Sequence, residues 1–146
     1  METEIKDLQE LVLATIPPWH HYFSRPFEQR MLREHMSLGM YYCLQTLRHH
    51  RDTLTMTELS RLARAPKQRT TKVVDQLVER GFVERVNDPS DRRVVRLRVT
   101  EEGEAYVSRF LREDAGCYGE LFERMSEADR AACYDSLSTI LRIFEA

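Results

Sequence analysis

No stretch of this chain approaches the roughly 18 consecutive apolar residues that a membrane helix requires, so no membrane partner is expected. Cysteine is scarce: Cys43, Cys117 and Cys133 are widely spaced and contain no CxxC pair. That argues against a disulfide framework or a zinc ribbon. There is no glycine-rich phosphate loop, no HExxH and no nucleophile elbow, and the histidines and carboxylates show no catalytic spacing. An enzyme is therefore not the reading, and neither a cofactor nor a bound metal is expected. The N-terminal METEIKDLQE lacks the basic, apolar and small-residue order of a secretory leader, so a cytoplasmic location is expected.

What is present is one domain's length, 146 residues, with 42% apolar and 32% charged residues, enough for a core without staples. Net charge is only −2, but it is unevenly spread. Residues 61–98 hold eleven Lys/Arg against five Asp/Glu, a local charge of +6, which leaves −8 for the remainder. A basic face on an acidic scaffold points to a polyanionic partner.

The hydrophobic period supplies the architecture. Ile5, Leu8, Leu11 and Val12 predict a first helix that ends at Pro17-Pro18. A second helix runs from about Pro18 towards Glu34, with a bend at Pro26 and an aromatic face of Trp19, Tyr22, Phe23 and Phe27. Ser37 is an N-cap for a helix over 38–48, and the stretch His49 to Leu54 reads as a loop. Thr55-Met-Thr-Glu58 has the capping-box pattern and starts a short helix, and Ala65-Pro66 separates it from a helix over 67–80 that closes at Gly81. The period then changes to two: 82–86 and 94–99 are strands joined by the turn chemistry of Asn87–Arg93. Thr100 begins a long helix towards Met125, and Ser126 caps a last one that buries Leu137, Ile140, Leu141 and Phe144. The expected fold is mainly α with a small β-hairpin wing: a winged helix-turn-helix at 37–100, and a helical region at 1–36 and 101–146.

Residues 55–103 resemble the MarR family of bacterial winged-helix transcription regulators. The resemblance is carried by Leu77-Val-x-x-Gly81-Phe-Val83, then Asp91-Arg-Arg93, then Thr100-x-x-Gly103. It implies a homodimer, held by the terminal helices, on a pseudo-palindromic double-stranded DNA operator, usually as a repressor released by a small ligand or by oxidation. Where the family commonly places small residues and aliphatics early in the recognition helix, this chain has Arg69, Thr70, Thr71 and Lys72. Its operator is thus expected to differ.

The first turns of a recognition helix enter the major groove, where long donors reach base edges. Gln68, Arg69, Thr71 and Lys72 are the candidates for bases; Lys67 and Thr70 are candidates for phosphates. In the wing, Arg92 is the candidate for a narrow minor groove. By the resemblance, Asp91 and Arg93 fix the tip, through a charge-assisted hydrogen bond or a phosphate contact. Arg96 and Arg98 point outward and either supply field or pair with Glu84.

Trp19, His20, Tyr22 and Phe23 lie where the resembling family places an effector cleft, and aromatic rings with imidazoles suit an aromatic acid or a phenol. An aromatic stripe at helical spacing also reads as core or dimer interface. Metal and thiol sensing are two further sensor chemistries. The five histidines, His20, His21, His35, His49 and His50, have no completing ligands at metal spacing. Cys43 and Cys133 read as buried, which suits packing better than thiol chemistry. A winged helix used for protein contacts alone is the remaining alternative.

Overall fold

The computed structural model describes residues 3–50, 53–112 and 117–145. Ser37 starts α3 (Leu38–His49) by accepting from the Met40 N–H at 3.1 Å, and Met40, Cys43, Leu44 and Leu47 turn inward. Thr55 and Glu58 complete both halves of the capping box on α4 (Met56–Leu62). Pro66 stands at the N-cap of α5 (Lys67–Glu79), one position ahead of the first turn, where its missing N–H costs nothing. β2 (Val83–Asn87) and β3 (Val95–Val99) form the expected hairpin. The structure adds a strand: β1 (Leu54–Thr55) pairs antiparallel with β3, giving the order β1-β3-β2. Leu54, expected in a loop, pairs with Leu97, and both are buried; a two-residue strand has no period to read. Residues 51–52 of that loop lie outside the described residues. Leu44, Leu59, Val74, Leu77, Val83, Leu97 and Val107 are fully buried together as the core of this winged helix.

Three helices end in the same way. At the end of α5 the Phe82 N–H bonds Leu77 O and the Gly81 N–H bonds Val78 O, with Gly81 left-handed at φ 77°; this is a Schellman motif. The same bond pair closes α4, from Ala65 to Ser60 and from Arg64 to Arg61, and α2 (Arg25–Arg33), from Met36 to Met31 and from His35 to Leu32. There the left-handed position holds Arg64 (φ 53°) and His35 (φ 56°) instead of glycine. An L side chain in that region costs on the order of 1 kcal/mol.

Thr100 explains its own motif. Its Oγ donates to Gly81 O at 2.5 Å and accepts from the Gly103 N–H at 3.0 Å, and its N–H bonds Phe82 O. The threonine thus ties the base of the hairpin to the end of α5 while starting α6 (Glu101–Arg112). Gly103 passes so close to the strand that a Cβ there would lie 2.3 Å from Phe82 O.

The chain groups into two compact units, Met1–Phe27 with Ala115–Ala146, and Glu28–Asp114. Three expectations about the terminal helices change. Pro17 and Pro18 do not end α1 (Ile5–Trp19); the helix runs through them and widens into a π-helical turn at His20–Ser24. Prolines at those positions cannot donate to the carbonyls four residues back, and a wider turn accommodates the break without terminating the helix. The long helix expected from Thr100 towards Met125 is instead α6 and a separate α7 (Gly119–Glu123), and residues 113–116 between them lie outside the described residues. Tyr118 leaves helical geometry (φ −122°), its hydroxyl donating to Phe23 O at 2.7 Å, and glycine follows it. Finally, Ser126 caps α8 (Glu127–Glu145) as expected, but the helix buries none of its residues. Leu137 is half-buried, and Ile140, Leu141 and Phe144 are exposed, Phe144 by 81%. Amphipathic spacing identifies an apolar face without saying that its own chain covers it.

Candidate nucleic-acid interface

The winged helix sorts its positive charge into two groups. Of the eleven cations between 61 and 98, Arg80, Arg85, Arg93, Arg96 and Arg98 are held by partners within the chain. Arg80 donates to the carbonyls of Glu34 and His35 at 3.0 and 3.1 Å and lies over the Phe82 ring. Arg85 pairs with Asp75 on α5, and Arg98 pairs with Glu84 at 2.5 Å across the hairpin. Arg96 donates to Asp88 at 2.7 Å and to Thr53 O at 3.1 Å. Arg93, 91% exposed, reaches Asp91 at 3.3 Å and is the most loosely held. These pairs consume four of the five acids in the segment, leaving Glu79.

Arg61, Arg64, Lys67, Arg69, Lys72 and Arg92 are exposed, and among the described residues none has a side-chain hydrogen bond or ion pair. They cluster on the end of α4, the turn after it, the first turns of α5 and the hairpin tip. No side chain caps α5, so the N–H groups of Lys67, Gln68 and Arg69 are also open at the positive end of the helix dipole. The arrangement offers an anion several charge-assisted donors on one short helix and one more at a strand tip. Sequence reasoning counted Arg61 and Arg64 within the basic segment but gave them no role. Their signal is their position around the helix-helix turn.

One expected contact is corrected. Thr70 is 1% exposed and its hydroxyl donates to Pro66 O, so it faces the core and cannot reach a phosphate. It sits on the inward stripe with Val73, Val74 and Leu77. Gln68 and Thr71 are exposed, and the Thr71 hydroxyl donates back to Lys67 O. The Asp91 carboxylate accepts from the Arg93 N–H at 3.0 Å and from the Arg93 guanidinium at 3.3 Å.

Residues 36–95 match the model of the MarR family. These residues, which span most of the winged helix-turn-helix, are similar to the MarR family. An uncharacterised HTH-type transcriptional regulator of Bacillus subtilis, YsmB, is 32% identical over 58% of this chain and 58% of its own length, so this match spans less than two thirds of that relative. The Escherichia coli transcriptional repressor MprA is 27% identical over 92% of this chain and 75% of its own. Among solved structures, a MarR-family protein from Bacillus stearothermophilus superposes with a TM-score of 0.76 at 21% identity, covering 99% of this chain and all of that one. A mutant of S. aureus MepR bound to an oligodeoxyribonucleotide gives 0.64 at 17% identity, covering 98% and 99%. The chain thus has a winged-helix fold and is similar to MarR-family transcriptional regulators, a family of regulators rather than enzymes.

The four residues expected to line an effector site divide between two grooves of the first unit. Trp19 and His20 face a cavity of about 620 Å³ between α1 and α8, lined also by Leu8, Ile16, Ile140 and Phe144. Tyr22 and Phe23 face another of about 610 Å³ with His21, Cys117, Arg124 and Met125. The π turn itself carries His20, Tyr22 and Phe23, and the Trp19 and Phe23 rings touch at 4.7 Å. Among the described residues no group of three His, Cys, Asp or Glu could hold a metal, and no helix is long and apolar enough to cross a membrane. Burial pushes the Cys43 thiol up to about 11, which removes it as a reactive thiolate at neutral pH. Cys133, expected to be buried, is half-buried because α8 has its apolar side uncovered.

Proposed function

We propose that this regulator is a homodimeric repressor of a pseudo-palindromic operator, with residues 37–100 on the DNA and the helices of 1–36 and 101–146 making the dimer. The observation that carries the reading is the division of charge: the segment's net +6 is concentrated in six cations with no partner among the described residues, on α4, α5 and the wing tip. In this reading Gln68, Arg69, Thr71 and Lys72 address base edges, Lys67 with Arg61 and Arg64 holds phosphates, and Arg92 enters the minor groove. The MepR structure that shares the fold carries DNA, and MprA is a repressor; both favour the same reading. Support for the dimer comes from α1 and α8, where Ile5, Leu11, Leu13 and Phe144 are 64–81% exposed, more apolar surface than a monomer keeps in water.

The effector is a small aromatic acid or phenol in the groove of Tyr22 and Phe23, where the rings stack and Arg124 supplies a cation. Trp19, the single tryptophan, touches Phe23 and reports on that groove.

The test is selection of bound duplexes from a random pool, with and without benzoate. Enrichment of inverted half-sites about 10 base pairs apart, weakened by benzoate together with a change in Trp19 emission, is the expected result. Failure to retain any duplex at low salt would overturn the reading and leave a winged helix that contacts proteins only.

A further inference from the structure

The hairpin tip is braced from one side by a pair that the charge pattern alone presents as mere surface charge. Asp88 opens the turn between β2 and β3. Its Oδ1 accepts from the N–H groups of Ser90 at 2.7 Å and Asp91 at 3.3 Å, and its Oδ2 accepts from Arg96 Nε at 2.7 Å. Arg96 then reaches with Nη1 to Thr53 O at 3.1 Å, immediately before β1 and the capping box of α4. The turn is closed by Asp88 N–H to Val94 O and Val94 N–H to Asp91 O. Arg92 stands between Asp91, whose N–H is held by Asp88, and Arg93, whose N–H is held in turn by Asp91, while its own side chain is exposed. Only 14% of the Asp88 side chain is exposed, and the Arg96 hydrogen bond, followed by the Ser90 N–H, holds its carboxyl below the usual range. The carboxylate is therefore charged wherever DNA binding is measured.

We propose that Asp88 and Arg96 are positioning residues for Arg92: they hold the wing tip against the strand that leads into the helix-turn-helix, so that Arg92 reaches DNA from a pre-ordered backbone. The gain comes from ordering the tip before binding instead of during it. The inference rests on Arg92 as a DNA contact and assigns it a support.

The sign of one substitution separates this from plain electrostatics. In Asp88→Asn the side-chain oxygen still accepts from Ser90, but the amide presents donors to Arg96 and breaks that link alone. Removing a negative charge beside a polyanion strengthens binding if field is all that matters. Positioning predicts the opposite. Arg96→Lys keeps the charge but loses the fork that spans Asp88 and Thr53 O.

The experiment is fluorescence anisotropy of the full chain with a fluorescein-labelled A-tract duplex, whose minor groove is narrow. The variants are D88N, R96K, R92A and D88N/R92A, with far-UV circular dichroism verifying that each folds. Expected are roughly three- to tenfold weakening for R92A, D88N and R96K, and no further weakening when D88N is added to R92A. D88N that binds as tightly as or more tightly than the parent, while R92A binds worse, overturns the positioning role and leaves the Arg92 contact standing. D88N that weakens binding equally in the R92A background also overturns it, since the effect would then bypass Arg92. An R92A variant that binds like the parent overturns both.

Discussion

The residues of the winged helix and those of the terminal helices use similar apolar spacing to opposite ends. In the first, Leu44, Leu59, Leu77 and Leu97 meet in a core with less than 2% exposure, α4 and α5 both close with Schellman ends, and the arginines on the strands have acids to face. In the second, α1 and α8 bury no residue at all, although both carry apolar stripes. One region completes its core from within the chain; the other leaves an apolar face uncovered. Net charge follows the same division, because the winged helix holds the basic segment of 61–98, at +6, and the rest of the chain sums to −8.

That contrast can be broken at its strongest point first. Leu77→Ala removes a fully buried side chain from the winged-helix core and should cost about 3–5 kcal/mol in urea unfolding; the same change at Leu11, 64% exposed, should cost far less in a dilute monomer. Leu11→Asp sharpens the other half. It should convert a dimer into a monomer in analytical ultracentrifugation and weaken operator binding on the order of a hundredfold, as expected when two linked half-sites become separate, while leaving the urea midpoint of the winged helix in place.

Alkaline pH should act through two groups, the Cys43 thiol on α3 and the Tyr106 hydroxyl on α6. Burial, then the hydrogen bond to Glu34 and its charge, push the Tyr106 hydroxyl up to about 12, and burial pushes the Cys43 thiol up to about 11. A group that binds its proton more tightly when folded stabilises the fold fully below its unfolded pKa, and that contribution fades as pH rises towards the folded one. Stability should therefore hold from neutrality to about pH 9, then fall between 9 and 12. In Cys43→Val the decline should begin nearer 10, the ordinary tyrosine value; a decline beginning well below 9 would point to other groups. The smallest effect is at the helix ends: His35→Gly should stabilise by about 1 kcal/mol by relieving a left-handed side chain, measurable as a shift in urea midpoint without change in slope.

These particulars also show what was legible in the sequence. Ser37, Thr55-Glu58 and Gly81 announced their helix ends because each chemistry is local and matches a known cap. The ends at His35 and Arg64 use the same bonds without the glycine that signals them. Leu54–Thr55 was unreadable as a strand because its partner lies over forty positions away at Leu97 and Arg96. At the site, the basic segment and the tip arginine were visible. The burial of Thr70 was not, since a threonine fits either side of a helix and only the phase of α5 decides. Position in the hairpin told Arg92 from Arg96, but not that Arg96 pairs with Asp88 while Arg98 takes Glu84.

The central claim is that DNA is met by the cations without internal partners and not by those already paired. Salt dependence of duplex binding tests it most directly, comparing Arg69→Ala and Arg92→Ala with Arg98→Ala. Removing one cation that neutralises a phosphate lowers the slope of log affinity against log salt by about 0.9. The account predicts that drop for Arg69→Ala and for Arg92→Ala, and an unchanged slope for Arg98→Ala, whose guanidinium faces Glu84. A slope lowered by Arg98→Ala and untouched by Arg92→Ala would contradict it.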